Sequence, residues 1–567
     1  MVRLTIRRLG AAGMQRREIV TILAALAQTA VLLAHGPTSS SALAAVNPVP
    51  SWLTYTRPAA YQAVVIDGVQ VPLRDSSYLS CDLYRPGTST SSPAAGRFPG
   101  VVYQYHGYGT NRAEVDPPQL VFLAEHGYNA LQCSVRGVGG SPGTIDIVGP
   151  QEASDGYDIV ERLATQPWSN GQIGTVGYSY GAITAYLVAA LRPPHLRTIV
   201  SQASYEDLYL DIAHLGGVRG ADVRGWLLAL LESLNTVGTP PQQQVEIEQQ
   251  GVLTDTEWGN HLLDDSYWQR YAIDFSAIKQ SGMPILAFGG WYDIYQRGMP
   301  AAYQQLPKQT WLVMQNVSHV DSPSFYGTAS GPTLAWLDHW LMRLKSAPLP
   351  TAHVLSYEMP ATGGHGWTEF TSWPPPGVGS MRLQMNSDGT LSHNATQAGS
   401  TAYAVNPGDG MPSYWNIGDR PDSPEIIAWN TAREAQRVHF TTPVLQHDLV
   451  MTGAAQAQIE AAFSATDGIL VARLSDVAPD GSVTLVGTGW AQASLSPDYK
   501  QTVPVIPGQP RFYNLEIWPS HWRFLAGHRL QISISSGDVP RIMPDAPLGT
   551  VTVYTGSGAS SVAIPVL

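Results

Sequence analysis

The spacing of apolar residues along the chain changes four times. Residues 61–84 alternate (Val64, Ile66, Val69, Val71 and Leu73, then Leu79, Cys81 and Leu83), the pattern of strands with one covered face. From Pro99 the apolar residues come instead in short solid runs: Val101–Tyr105, Tyr128–Val135, Ile173–Val176 and Thr198–Ser201. Segments 119–126, 152–165 and 182–191, interspersed among those runs, carry helical spacing. Solid runs alternating with helices predict a mostly parallel sheet covered on both faces. After residue 205 the strand signal stops. Trp226, Leu227, Leu230, Leu231 and Leu234 fall at helical spacing, and 242–250 and 257–275 read as mostly helical. Strand runs return at Met283–Phe288 and Trp311–Met314, followed by an amphipathic helix over 333–344. From about 350 the runs are short and separated by Gly, Pro and Asp turns: Met381–Met385, Leu449–Thr452, Ile469–Leu474, Val483–Val486, Phe512–Ile517 and Leu530–Ile534. That pattern predicts an all-β sandwich or jelly roll.

The expected class is therefore α/β. One sheet domain is built from 55–204 and 279–348, a mostly helical segment is inserted at 205–278, and an all-β sandwich or jelly roll follows over 349–567. Residues 1–44 stand apart. Five arginines against one glutamate precede a weakly apolar stretch, Ile19 to Ala34, and the segment ends Ala42-Leu43-Ala44. This is the pattern of a cleaved secretory signal, and Arg16-Arg17 hints at twin-arginine export. The mature protein is expected outside the cytoplasm, with no stable membrane association.

Composition narrows the function classes. Apolar residues make up 44% of the 567 positions and charged residues 13%, so the chain has material for large cores and is not a disordered polyelectrolyte. A net charge of −12 argues against a nucleic-acid partner, which demands a Lys/Arg surplus. Two cysteines exclude a disulfide scaffold and a Cys-ligated zinc ribbon. Cys81 and Cys133 lie in strand-like runs; a disulfide in an exported protein and two buried thiols both fit. No motif calls for a metal or a cofactor.

The candidate chemistry begins at Gly177-Tyr178-Ser179-Tyr180-Gly181, a G-x-S-x-G between an apolar strand and an apolar helix. A sharp strand-to-helix turn there exposes the Ser179 hydroxyl at the carboxyl edge of the sheet, beside the amide donors of a helix start. A serine needs a base, and the base needs an orienting acid. Asp293 follows the run 283–288 and His319 follows 311–314, so both fall at the same sheet edge in the order Ser, Asp, His. One oxyanion donor is expected from the Tyr180 N–H. The other comes from the loop after Val101–Tyr105, which holds Tyr105, His106, Gly107 and Tyr108, through a tyrosine hydroxyl or a backbone amide.

This set, Gly177–Gly181, Gly290-Trp291-Tyr292-Asp293 and Ser318-His319, resembles the cocaine-esterase-like and Xaa-Pro dipeptidyl-peptidase family of serine hydrolases. Leu83-Tyr84-Arg85-Pro86, Pro167-Trp168-Ser169-Asn170-Gly171 and Ser535-Ser536-Gly537-Asp538-Val539-Pro540 extend the likeness. The resemblance implies an α/β-hydrolase domain with a helical cap, a C-terminal jelly roll, and a tyrosine hydroxyl as second oxyanion donor, which matches Tyr108 by position, with Tyr105 the fallback. Relatives acting on α-amino-acid esters hold the substrate ammonium with two acids shortly after the catalytic aspartate; here those positions are Tyr295 and Gln296. Glu206, Asp207 and Asp211 are the remaining candidates for an amine site, and Trp291 and Tyr292 for an apolar pocket. The expected substrate is a small ester, amide or peptide, and the sequence is silent on oligomeric state. A secreted binding protein that uses the jelly roll to hold its ligand is the alternative; an intact Ser, Asp and His set argues against it.

Overall fold

The computed structural model describes residues 49–108, 116–221, 241–319, 330–360, 366–395, 397–411 and 420–567. The proposed leader and the apolar residues 226–234 lie outside them. From Asn47 onward the chain is one compact unit.

The first sheet takes strands β1 (Gln62–Pro72), β2 (Tyr78–Ser89), β3 (Ser92–Pro93), β4 (Phe98–Tyr103), β5 (Asn129–Cys133), β6 (Ser169–Tyr178) and β7 (Leu196–Gln202). A two-stranded hairpin follows, β8 (His214–Leu215) and β9 (Val218–Arg219). The first sheet then resumes with β10 (Ile285–Tyr292), β11 (Thr310–Ser318), β12 (Val354–Glu358) and β13 (Gly366–Phe370). Its order is β1-β2-β5-β4-β6-β7-β10-β11-β12-β13, with β3 beside β2. The run from β5 to β12 is parallel and the edges are antiparallel. The alternating residues 61–84 thus form the antiparallel edge, and the solid runs the buried centre.

The period of two decides which helix covers which residue. Val102, Ile285, Ala287, Leu312 and Met314 lie in one core with residues of α2 (Pro150–Ala164) and α3 (Tyr180–Ala190) and with Met299 and Tyr303. Their neighbours Val101, Tyr103, Leu286, Phe288 and Val313 pack in a second core with α1 (Asp116–Glu125) and α7 (Ser330–Trp340). Between α3 and α7 come α4 (Pro241–Asn260), α5 (Phe275–Ser281) and α6 (Gly298–Gln305). Cys81 lies directly opposite Cys133 on β2 and β5, and the two form a disulfide, which settles the pairing the sequence left open.

Among its described residues the segment between β7 and β10 is partly helical: a π-helical turn at Tyr209–Ala213 and the β8–β9 hairpin precede α4 and α5. The sequence boundary at 349 falls just before β12 and β13, which complete the first sheet rather than entering the all-β part. The all-β domain proper begins with β14 (Gly379–Met385), β15 (Leu391–Ser392) and β16 (Gly399–Ala404), then α8 (Pro424–Glu434). Eight further strands follow: β17 (Val438–Thr441), β18 (Leu449–Phe463), β19 (Ile469–Val477), β20 (Val483–Gln492), β21 (Arg511–Phe524), β22 (Arg529–Ser535), β23 (Thr550–Thr555) and β24 (Ser561–Val566). They form two antiparallel sheets, β15-β14-β24-β18-β23-β16 with β21 beside β18, and β17-β22-β19-β20.

The all-β domain is joined to the first sheet through β12 and β21. His521 Nδ1 lies 3.0 Å from Ser356 Oγ, and Arg523 Nε donates to Glu358 at 2.6 Å. Burial holds the His521 imidazole down at about 4. No helix among the described residues is long and apolar enough to cross a membrane.

Candidate active site

Strand β6 runs straight into α3, and Ser179 occupies the corner with φ 55° and ψ −118°. That conformation is costly for a residue with a side chain and persists only where the surroundings enforce it. Two glycines make the corner possible. A Cβ on Gly177 would sit 2.0 Å from the carbonyl oxygen of Gly181, and one on Gly181 would sit 2.3 Å from Gln104 Oε1. Backbone bonds then hold the turn: Ser179 N–H donates to Gln202 O at 2.8 Å, and Tyr178 N–H to Gln104 Oε1 at 3.0 Å. From below, the Tyr180 hydroxyl donates to the buried Glu152 of α2 at 2.6 Å. Burial pushes that carboxyl well above the usual range.

Strands β10 and β11 bring the other two residues to the same edge. Ser179 Oγ lies 3.0 Å from His319 Nε2, and His319 Nδ1 lies 3.0 Å from Asp293 Oδ2. Asp293 is buried, and its second oxygen accepts the Tyr295 N–H at 2.8 Å. The register between the strands explains the placement. Gly290 pairs with Gln315 but Tyr292 pairs with Ser318, so β11 carries one extra residue, a bulge at Asn316–Val317. A bulge bends its strand and re-aims the residues just beyond it, here Ser318 and His319. Gly290 accommodates it, since a Cβ there would meet Val317 O at 2.3 Å.

Tyrosines surround the imidazole. Tyr178 stacks on His319 with centroids 5.0 Å apart, and its hydroxyl donates to the His319 carbonyl. Tyr295 meets the ring edge-on at 5.6 Å, and its hydroxyl lies within hydrogen-bonding reach of Ser179 and near Tyr108. Burial holds the Tyr295 phenol well above its ordinary range. Tyr108 packs edge-on against Tyr180 at 5.7 Å. Tyr105 goes elsewhere: its ring is fully buried toward α2, beside Gly156 and the charges of Glu152 and Asp155. Of the two tyrosines, Tyr108 is the one that lies near Tyr295, beside the imidazole.

The pocket expectations fare differently. Trp291 is 1% exposed, donates through Nε1 to Tyr357 O and packs on Trp373, so it is core. Tyr292 is equally buried, with Arg420 over its ring at 5.3 Å and the Asp422 carboxylate nearby. Both are covered by protein. Glu206, Asp207 and Asp211 do gather at the sheet edge, but around a cation of the protein itself. Arg297 Nη1 lies 2.7 Å from Asp211 Oδ1 and 3.6 Å from Glu206 Oε2, and its Nε lies 3.3 Å from Glu516 of β21. The other Asp211 oxygen accepts the N–H groups of Glu206 and Asp207 at 2.7 and 3.0 Å. Burial, followed by the charge of Asp211, raises both Glu206 and Asp207. Sequence reasoning missed Arg297, Tyr178 and Arg420. Arg297 stood only four places after Asp293, and nothing local marks its reach to residues 206–211 and 516.

Residues 75–321 match the profile of the X-Pro dipeptidyl-peptidase (S15 family), and residues 350–561 that of the X-Pro dipeptidyl-peptidase C-terminal non-catalytic domain. The chain belongs to this family of serine hydrolases. Cocaine esterase from a Rhodococcus species is 21% identical over 556 residues, covering 86% of this chain and 93% of that one. A CocE/NonD family hydrolase from Staphylococcus aureus superposes with a TM-score of 0.72 at 20% identity, covering 91% and 98% of the two chains. An aminopeptidase from a marine sediment Thaumarchaeota archaeon superposes at 0.71 with 19% identity, covering 93% and 99%. The S15-family chain thus shares its fold, large mixed sheet and separate all-β domain with these structures.

Proposed function

We propose that this chain is an exported esterase of the α/β-hydrolase superfamily that cleaves small esters, and amides of like shape, through an acyl-enzyme. The observation that carries the reading is the unbroken line from Ser179 Oγ through His319 to Asp293, with 3.0 Å at each link. His319 takes the serine proton as Oγ attacks the substrate carbonyl, then gives it to the leaving group; water reverses the sequence. Asp293 holds the imidazole tautomer and stabilises the imidazolium. The Tyr180 N–H and the Tyr108 hydroxyl receive the oxyanion, each donor being worth roughly 10²–10³ in rate. Segment 205–278 serves as the cap and the C-terminal sheets as a jelly roll. Residues 1–44 direct export, and the Cys81–Cys133 disulfide suits an oxidising compartment.

Arg297 favours an uncharged acyl group, because it already fills the acidic cluster that a substrate ammonium would seek. One observation favours the second reading, a dipeptidyl-peptidase: four carboxylates surround that single guanidinium, so negative charge remains. Hydrolysis of p-nitrophenyl butyrate and of Ala-Pro p-nitroanilide, each beside Ser179→Ala, separates the two. The expected result is ester turnover that the variant abolishes, with the anilide untouched. Anilide turnover would establish the peptidase, and equal turnover by the variant would end both readings.

A further inference from the structure

The loop preceding α8 reaches back to the site. Arg420 donates through Nη1 to the backbone carbonyl of Asn316 at 3.0 Å and through Nη2 to Asn316 Oδ1 at 2.6 Å. Asn316 is in the bulge that aims His319. A bulged residue is left out of the ladder, so its carbonyl needs another donor. The same guanidinium lies over Tyr292, the residue before Asp293, with 5.3 Å to the ring centroid. Asp422 fixes the fork from behind: Arg420 Nε and Nη2 donate to its two oxygens at 2.9 and 2.8 Å. One planar cation therefore touches the ends of both strands that carry the acid and the base.

We propose that Arg420 is a positioning residue: the C-terminal domain, through this guanidinium, sets the distance between His319 and Asp293 and the aim of His319 at Ser179. The inference rests on the serine-hydrolase reading above. Lysine is a poor substitute, because one ammonium cannot bridge a carbonyl and an amide while covering a ring. A misplacement of about 1 Å at such a site costs on the order of 10²-fold in rate.

The test uses the full-length protein and a fluorophosphonate, followed by intact mass. Ser179 Oγ bonds to phosphorus, fluoride leaves, and the serine proton passes to His319, so the labelling rate reports the aim of the base. Arg420→Ala is expected to label about 30-fold more slowly, with KM for p-nitrophenyl butyrate within about twofold of the parent and the loss in kcat. Methylguanidinium in the buffer is expected to restore the rate in proportion to its concentration, which a merely destabilised fold would not do. Parent-like labelling and kcat in Arg420→Ala would overturn the proposal, as would a loss that methylguanidinium leaves unchanged. Should Arg420→Ala melt early, Asn316→Ala decides, since it removes one bond of the fork and leaves Asp422 in place. About a threefold loss in kcat supports the role, and none overturns it. A parent protein that takes no label at Ser179 would end the hydrolase reading itself, a result distinct from labelled parent and equally labelled variants.

Discussion

The two halves of the site are built by opposite means. The nucleophile's corner is held almost entirely by its own neighbourhood: two glycines, the strand before it, the helix after it, and the adjacent strands through Gln104 and Gln202. The acid and base are held from far away. Behind Asp293, Gln296 Nε2 donates to Pro519 O at 2.8 Å and Arg297 pairs with Glu516 at 3.3 Å. Behind His319, Arg420 holds the bulge. All three supports come from residues beyond 400, within the region matched to a domain described as non-catalytic. The nucleophile must occupy a strained conformation, which only tight local packing enforces. The base and acid need only be aimed, and distant hydrogen bonds suffice for that.

Breaking the local half should have the largest effect. Gly177→Ala forces a Cβ onto the Gly181 backbone, where no flexible side chain can yield. Activity on p-nitrophenyl butyrate should fall by more than about 10²-fold, and the melting temperature should drop, since overpacking at a rigid site costs roughly 1–3 kcal/mol or more. Parent-like kinetics in that variant would mean that the corner is not enforced locally.

The distant half should yield more gently. Gln296→Ala removes the bond to Pro519 but leaves Asp293 and its Tyr295 N–H bond intact. A loss in kcat of about five- to tenfold with KM unchanged is expected from steady-state kinetics, in line with one lost hydrogen bond of about 1 kcal/mol. A KM effect instead would place Gln296 in substrate binding.

A separate effect concerns stability with pH rather than turnover. His521 at the junction of β12 and β21, and His214 in the inserted segment, are buried and held down at about 4. Unfolded, each titrates near 6.5. Above that pH both states are neutral and nothing is lost. Between about 6.5 and 4 the unfolded chain takes protons that the folded chain refuses, so stability falls, by about 3 kcal/mol per group at most. Melting curves should therefore shift downward across that window and level off below it. His521→Asn should lessen the slope; an unchanged slope would show that this junction does not titrate.

This contrast also explains what was legible in the sequence. The parallel centre of the sheet was readable because strands covered on both faces must be solidly apolar, as in Met283–Phe288 and Ile173–Val176. Ser179, Asp293 and His319 were readable because chain order and strand ends fix them. The bulge at Asn316–Val317 was not, since no local residue announces a register shift. Arg297 and Arg420 were invisible for the same reason: their partners lie 86 and 104 residues away. Trp291 and Tyr292, expected at a pocket, are turned by the alternation of β10 one against Trp373 and the other beneath Arg420, partners distant in sequence that no local pattern announces. The β12–β13 pair lies past the expected boundary at 349 yet completes the first sheet, because short strands carry no sign of their partner.

The central claim is that Ser179 forms the acyl-enzyme. Rapid mixing of the protein with p-nitrophenyl butyrate, acid quenching and intact-mass analysis tests it most directly. A butyryl adduct on the peptide containing Ser179, formed at the rate of the initial p-nitrophenol release and absent from Ser179→Ala, is the predicted result. Ester turnover with no adduct on that peptide, or with the same adduct in the variant, would contradict the account.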